Sequence, residues 1–192
     1  MSRPVRKRSI IEDTAIRLFA RKGLAGTTIK DIAEQCGVAE GTLYGYYKGK
    51  NEMAWALFTR EVEKFTTALE AILFDPDKGM HERIYAGVRF TFDYYQMDPE
   101  RFAFILINQH DFPEKCLLDG WHNPYELISK FILKGIEDKS LPAGIPPEMM
   151  VAHLFGLILQ PLVMHRYGRI KIELDQAARI VAQACLRLME VR

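Results

Sequence analysis

Cysteine is scarce in this chain of 192 residues: three, Cys36, Cys116 and Cys185, lie far apart, and no CxxC pair occurs. That spacing argues against a disulfide framework, a zinc knuckle and a redox dithiol, and points to a reducing compartment, the cytoplasm. Cys36 and Cys185 fall on apolar helical faces and read as small core residues, with a thiol sensor as the alternative. Long apolar runs are lacking too. The longest, Leu154 to Met164, is interrupted by Gln160 and Pro161 and falls short of the roughly 20 residues that span a bilayer, so no membrane partner is expected. The N-terminus has no apolar signal-peptide core. No segment alternates apolar and polar residues long enough for a strand, and there is no repeat or low-complexity tract. HExxH and nucleophile-elbow motifs are missing, and five scattered histidines show no ligand spacing, so neither a metal nor a cofactor is expected.

Charge of one sign is also lacking overall, since the net charge is +1, but the average conceals a division. Residues 1–50 hold ten Lys or Arg against five Asp or Glu, whereas residues 51–192 hold sixteen against twenty, so +5 meets −4. Counterion release favours a basic segment on DNA, and the acidic remainder should face away.

What is present is helical periodicity throughout. The pattern predicts an all-α fold of about nine helices, three short and then six longer, divided into an N-terminal domain over 1–50 and a larger domain over 51–192. Ser9 with Glu12 reads as a capping box opening the first helix, which Gly23 stops. Thr28 with Asp31 is a second capping-box pattern, and Gly37 closes that helix where a left-handed residue is needed. A third, from about Glu40 to Tyr46, has Val38, Leu43 and Tyr47 as core contacts. A long helix from near Asn51 carries Ala54, Phe58, Val62, Phe65, Leu69, Ile72 and Leu73 at helical spacing and breaks at Asp75-Pro76-Asp77. Further helices are predicted over about 80–97, after Asp98-Pro99, from Asn123-Pro124 to Lys139, over about 147–167, and over 175–190 with Asp175 as cap. Between His110 and Gly120 the pattern lapses, and a mobile loop is expected.

The two runs Thr27 to Gly37 and Val38 to Lys50 read together as helix, glycine turn, helix, with a second helix dense in Thr, Tyr and Lys. Across about residues 8 to 54 the chain resembles the tetracycline-repressor (TetR) family of bacterial transcription regulators. The matches are Ile11, Ala15, Leu18-Phe19, Gly23, Thr27-Thr28, Ile32-Ala33, Gly37-Val38, Gly41-Thr42-Leu43-Tyr44, Tyr46-Tyr47 and Lys50. The resemblance implies a nine-helix fold, a homodimer through the last two helices, and release from an operator when a small molecule binds the larger domain.

Carried over by residue, it makes Thr28, Thr42, Tyr44, Tyr46 and Lys50 phosphate contacts and places Ala39, Glu40, Gly41 and Gly45 nearest the base edges. The chemistry agrees, because hydroxyls and ammonium groups bond phosphates while small residues let a helix approach the groove. Two positions depart from the family pattern. Ala39 forfeits a Ser or Thr cap, and Glu40 puts an acid where a base is common. Glu40 either accepts from a cytosine amino group or turns to solvent, the second being preferred. Tyr44 and Tyr46 have the alternative of covering a seam between domains. The basic run Arg3, Arg6, Lys7 and Arg8 is either a solvated tail or an arm reaching the minor groove.

Past residue 51 large rings are frequent. Phe65, Tyr94, Phe104, Trp121 and Tyr125, with Asn108, Gln109 and His153 as orienting polar groups, are the candidate pocket for a hydrophobic or aromatic small molecule. Leu154, Leu157, Ile158, Leu162, Ile180, Ala184 and Leu188 give the last helices enough apolar surface for a twofold four-helix bundle. The expected function is therefore a ligand-responsive regulator on a palindromic DNA operator, a repressor, with activation left open. Two alternatives stand beside it: a DNA-binding regulator without an inducer, and an enzyme using His110 with Asp111 and His122.

Overall fold

The structure, a computed structural model, describes residues 3–108, 112, 121–142 and 144–189. Among them are nine helices and no strand. Contacts divide the chain into two compact units, residues 1–61 with 100–119 and residues 62–99 with 120–192. The division falls between Glu61 and Val62, inside a helix.

The first unit begins with α1 (Arg3–Lys22), which runs through Ser9 instead of starting there. A Ser9 cap has no free helix-terminal N–H to satisfy, and the Glu12 carboxylate is occupied by Tyr47, Arg8 and Arg60. Gly23, at φ 72, ends α1 as expected. The α2 helix (Ile29–Cys36) is opened by the complete Thr28/Asp31 capping box and buries Ile29, Ile32 and Ala33. Gly37 closes it at φ 64, and the Val38 N–H bonds the Ala33 carbonyl at 3.0 Å, so the chain reverses within one residue. Cys36 is half-exposed, not core, whereas Cys185 is buried. Next, α3 (Glu40–Tyr44) is shorter than its sequence pattern suggested.

The long helix α4 (Lys50–Leu73) spans both units. Its first half sets Phe58 edge-on to Phe104, with ring centroids 6.0 Å apart, and Trp55 against Phe112 at 5.5 Å. Phe104 belongs to α6, a helical turn at Pro99–Phe102 that widens to π geometry over Ala103–Ile107. It also stacks on Phe19 of α1 at 5.9 Å. Burying each such ring contributes about 1.5–3 kcal/mol, which explains why α6 groups with the first unit.

In the second unit α5 (Met80–Met97) buries Ile84, Val88, Phe92 and Tyr95, the stripe read from sequence, and packs on α9 (Leu174–Leu188). The facing Ala177, Ala178 and Ala182 of α9 are small and buried, so the two backbones approach closely. Asp175 does not cap α9; Glu173 occupies that position, and Asp175 pairs with Arg89 and Arg179. Asn123 caps α7 (Pro124–Glu137) by accepting from the Glu126 N–H at 3.1 Å, as its sequence predicts. Finally α8 (Pro147–Arg166), whose most apolar 18-residue window has a mean hydropathy of 1.4, is long and apolar enough to cross a membrane by length and composition, more than its interrupted apolar run suggested.

Candidate nucleic-acid interface and ligand cavity

The helix-turn-helix divides its side chains sharply. Leu43 and Tyr47 are buried against the first unit, as expected, while Val38 is half-exposed. On the opposite side Ala39, Glu40, Gly41, Tyr44 and Gly45 are exposed, with Thr42 and Tyr46 half-exposed. Tyr44, at 55% exposure, is a large ring left in solvent with its hydroxyl available. Nothing lies within 4 Å of where a Cβ on Gly41 would sit, so the helix surface there is open. Glu40 is solvent-exposed. Ala39 occupies the N-cap of α3 with extended backbone, φ −70 and ψ 145, and supplies no side-chain bond.

Two candidate phosphate contacts are already engaged within the protein. The Thr28 hydroxyl donates to Asp31 Oδ2 at 2.6 Å and accepts from the Asp31 N–H at 3.1 Å. The Thr28 hydroxyl and the Thr28 backbone N–H, which donates to Asp31 Oδ2 at 2.8 Å, hold Asp31 below the usual carboxylate range. Lys50 Nζ donates to the Leu24 carbonyl at 2.7 Å, which fixes the ammonium beside the α1–α2 loop and leaves further donors on it.

A buried charge network supports this surface. Glu12, 7% exposed, accepts at Oε1 from the Tyr47 hydroxyl (2.6 Å) and Arg8 Nε (2.7 Å), and at Oε2 from Arg60 Nη1 (2.8 Å). Burial pushes the Glu12 carboxyl up, but the hydrogen bonds from Tyr47, Arg8 and Arg60 outweigh it, and the group lies below its ordinary value. Arg60 also bonds Glu61, which pairs with Arg101, which pairs with Asp13. The residue that ends the reading segment is thereby tied to α1, α4 and α6. Sequence reasoning missed this cluster; the only signal was an acid, Glu12, among the apolar positions of α1.

In the second unit a cavity of about 50 Å³ lies between Leu69 and Leu73 of α4, Val88 and Thr91 of α5, Phe131 of α7 and Cys185 of α9. Thr91 donates its hydroxyl to the Gly87 carbonyl at 2.9 Å, so it offers no free donor. Burial pushes the Cys185 thiol up to about 12, which keeps it neutral. The cavity is therefore apolar and almost wholly aliphatic, and the residues expected to form a pocket lie elsewhere. Phe65 and Tyr94 meet each other edge-on, with centroids 5.0 Å apart, beside Phe90. Phe104 belongs to the first unit, where Asn108 Nδ2 also donates to the Ala20 carbonyl at 3.2 Å. Tyr125 lies against Phe155 and is 49% exposed, Trp121 is half-exposed, and His153 is exposed on α8. Gln109 and His110 lie outside the described residues, as does all of the expected 110–120 loop except Phe112. The cavity's own residues carry no sequence signal beyond helical spacing, which reads equally well as core. No group of three or more potential metal ligands occurs among the described residues.

Residues 11–57, the segment containing the helix-turn-helix, match the model of bacterial regulatory proteins of the tetR family. The helix-turn-helix segment is a tetR-family one. Within that family, the HTH-type transcriptional regulator YerO of Bacillus subtilis is 47% identical over 47 residues, 24% of this chain and 16% of its own length. The chain spans between 16% and 38% of the length of the curated relatives it matches, and these are transcriptional regulators rather than enzymes. The fold extends further than the sequence match. The fatty acid degradation regulator FadR of Bacillus halodurans superposes with a TM-score of 0.78 at 20% identity, over 94% of both chains. FadR of Bacillus subtilis, solved with stearoyl-CoA, superposes with a TM-score of 0.77 at 19% identity, over 96% of this chain and 99% of its own. The match thus marks residues 11–57 as a TetR-family helix-turn-helix segment, within a fold shared with TetR-like regulators over the whole chain.

Proposed function

We propose that this regulator is a ligand-responsive repressor that binds a palindromic operator as a homodimer and is released by an apolar small molecule. The observation that carries the DNA reading is the split surface of α3, with Leu43 and Tyr47 buried while Gly41 and Tyr44 face solvent. Thr42, Tyr44, Tyr46, Lys50 and the Thr28 end of α2 are then the phosphate contacts, and Ala39, Glu40 and Gly41 lie nearest the bases. A protein that acts on DNA in this way works in the cytoplasm.

The dimer reading is supported by α8. Only 22% of its most apolar window is buried within the chain, and Gly156 is exposed with open space around it, so a second helix can approach. Ile180 on α9 is 52% exposed. A second copy covering α8 and α9 buries this surface in an isologous interface. The ligand reading is supported by the aliphatic cavity, whose lining suits a slender hydrocarbon chain better than an aromatic ring system.

That cavity is far smaller than the roughly 300–1,000 Å³ of ordinary ligand pockets. A ligand therefore enters only if the helices around it part, and it binds the parted form better than the closed one. Such differential affinity is what a ligand needs to shift a population and weaken operator binding. The α4 helix supplies residues to both units and is the lever. Operator-bound protein titrated with acyl-CoA thioesters of graded chain length tests this: release should strengthen with chain length. Unchanged operator affinity across the series sinks the release mechanism. The small cavity also favours a second reading, a regulator with no inducer, and in that case a panel of hydrophobic compounds leaves the melting temperature unmoved.

A further inference from the structure

Arg8, read from sequence as part of a solvated tail or a minor-groove arm, is a basic residue of the reading surface that the expected phosphate contacts do not include. Arg8 belongs to α1, not to a free arm, and its side chain is half exposed. Its guanidinium carbon lies 5.6 Å from the ring centroid of Tyr46 and 5.6 Å from that of Tyr47. Nε donates to the buried Glu12 carboxylate at 2.7 Å, and one terminal nitrogen, Nη2, reaches the Tyr47 hydroxyl at 3.4 Å. Among the described residues the other terminal nitrogen, Nη1, bonds no protein acceptor. The inner edge of the fork is thus tied down, and the outer edge faces solvent beside Tyr46.

Glu12 does not depend on Arg8 for its pairing. Its Oε2 is satisfied by Arg60, and its Oε1 already receives the shorter bond from Tyr47. What Arg8 gains from the arrangement is orientation. An arginine on a long stem ordinarily loses rotamer freedom when it grips a phosphate, and here the carboxylate and two rings have already restricted it. Resting on the proposed DNA reading, we infer that Arg8 is a phosphate-binding residue of the interface, an outward-facing guanidinium preset by Glu12 and the Tyr46 and Tyr47 rings. The contact positions the reading helix on the duplex and does not read sequence.

Salt dependence separates this role from a purely structural one. Arg8→Ala should weaken binding to a selected operator and to a shuffled duplex by the same factor, and should lower the slope of log affinity against log salt by about one. Between 50 and 200 mM salt the variant should therefore lose roughly 3-fold less affinity than the parent. Arg8→Lys, which keeps the charge, should keep the slope, as should Glu12→Gln, which keeps Arg8 but removes its anchor. Partial unfolding of a variant lowers the active fraction and leaves the slope alone; Arg8→Gln, which retains the stem, provides a second neutral variant should Arg8→Ala not fold. A parental slope in the neutral variants overturns the assignment while the DNA reading stands. No salt-dependent DNA binding by the parent protein overturns both.

Discussion

Tyr47 shows how a single hydroxyl ties the reading head to the rest of its unit. Its ring is buried with Leu43, and its hydroxyl donates to Glu12 at 2.6 Å. Tyr47→Phe should lower the unfolding free energy in urea by about 1.5–3 kcal/mol, the range for a hydrogen bond to a charged group. An unchanged midpoint would mean that solvent replaces the bond. The pH dependence follows from the same carboxylate. Because Glu12 lies below its ordinary value in the folded state, its contribution is complete above the unfolded value and is lost as pH falls through the folded one. Glu12→Gln should therefore be less stable than the parent at neutral pH, with the gap closing in acid; a gap constant down to pH 3 would exclude Glu12 as its source. The burial of Leu43 and Tyr47 was legible from their apolar company. The Glu12 network was not, because Tyr47 and Arg60 lie 35 and 48 residues away in sequence.

Among the helices, those with local stop and start signals were the legible ones. The Thr28/Asp31 box, Gly37 and Asn123-Pro124 each satisfy their own helix end within a few residues, so short-range pattern is enough. Pattern missed the start of α1, the cap of α9 and the π turn of α6; the Glu12 and Asp175 carboxylates it assigned to helix ends are engaged by Arg60 and Arg89, 48 and 86 residues away. Ala39 offers a clean test at this scale. Its backbone already has N-cap geometry, so Ala39→Ser should add a bond to an unpaired α3 N–H and raise stability by about 1 kcal/mol, read from the thermal midpoint. No gain would show that α3 is held by Leu43 and Tyr47 alone. In the second unit Leu154, 6% exposed, lines the cavity from α8. Leu154→Ala enlarges a space that already exists and should cost about 2–5 kcal/mol in chemical denaturation; a cost below 1 kcal/mol would indicate that the surrounding helices collapse into it.

For the whole molecule, the division of charge and the uncovered apolar surface of α8 and α9 point the same way. On the proposed function, two copies joined through the apolar α8–α9 surface would present two basic reading units to one duplex. Ile180→Asp, which places a charge on the exposed face of α9, should shift the sedimenting species from dimer to monomer and weaken operator binding with it; an unaltered dimer would put the interface elsewhere. The aliphatic cavity was the least legible feature of the second unit, because the spacing of its lining residues is that of any helical core. The most direct test of the account is selection of bound duplexes from random DNA by the purified protein. Recovery of an inverted repeat, with half-sites one helical turn or a multiple apart, is the predicted result, and a pool that shows no enriched sequence after selection would contradict it.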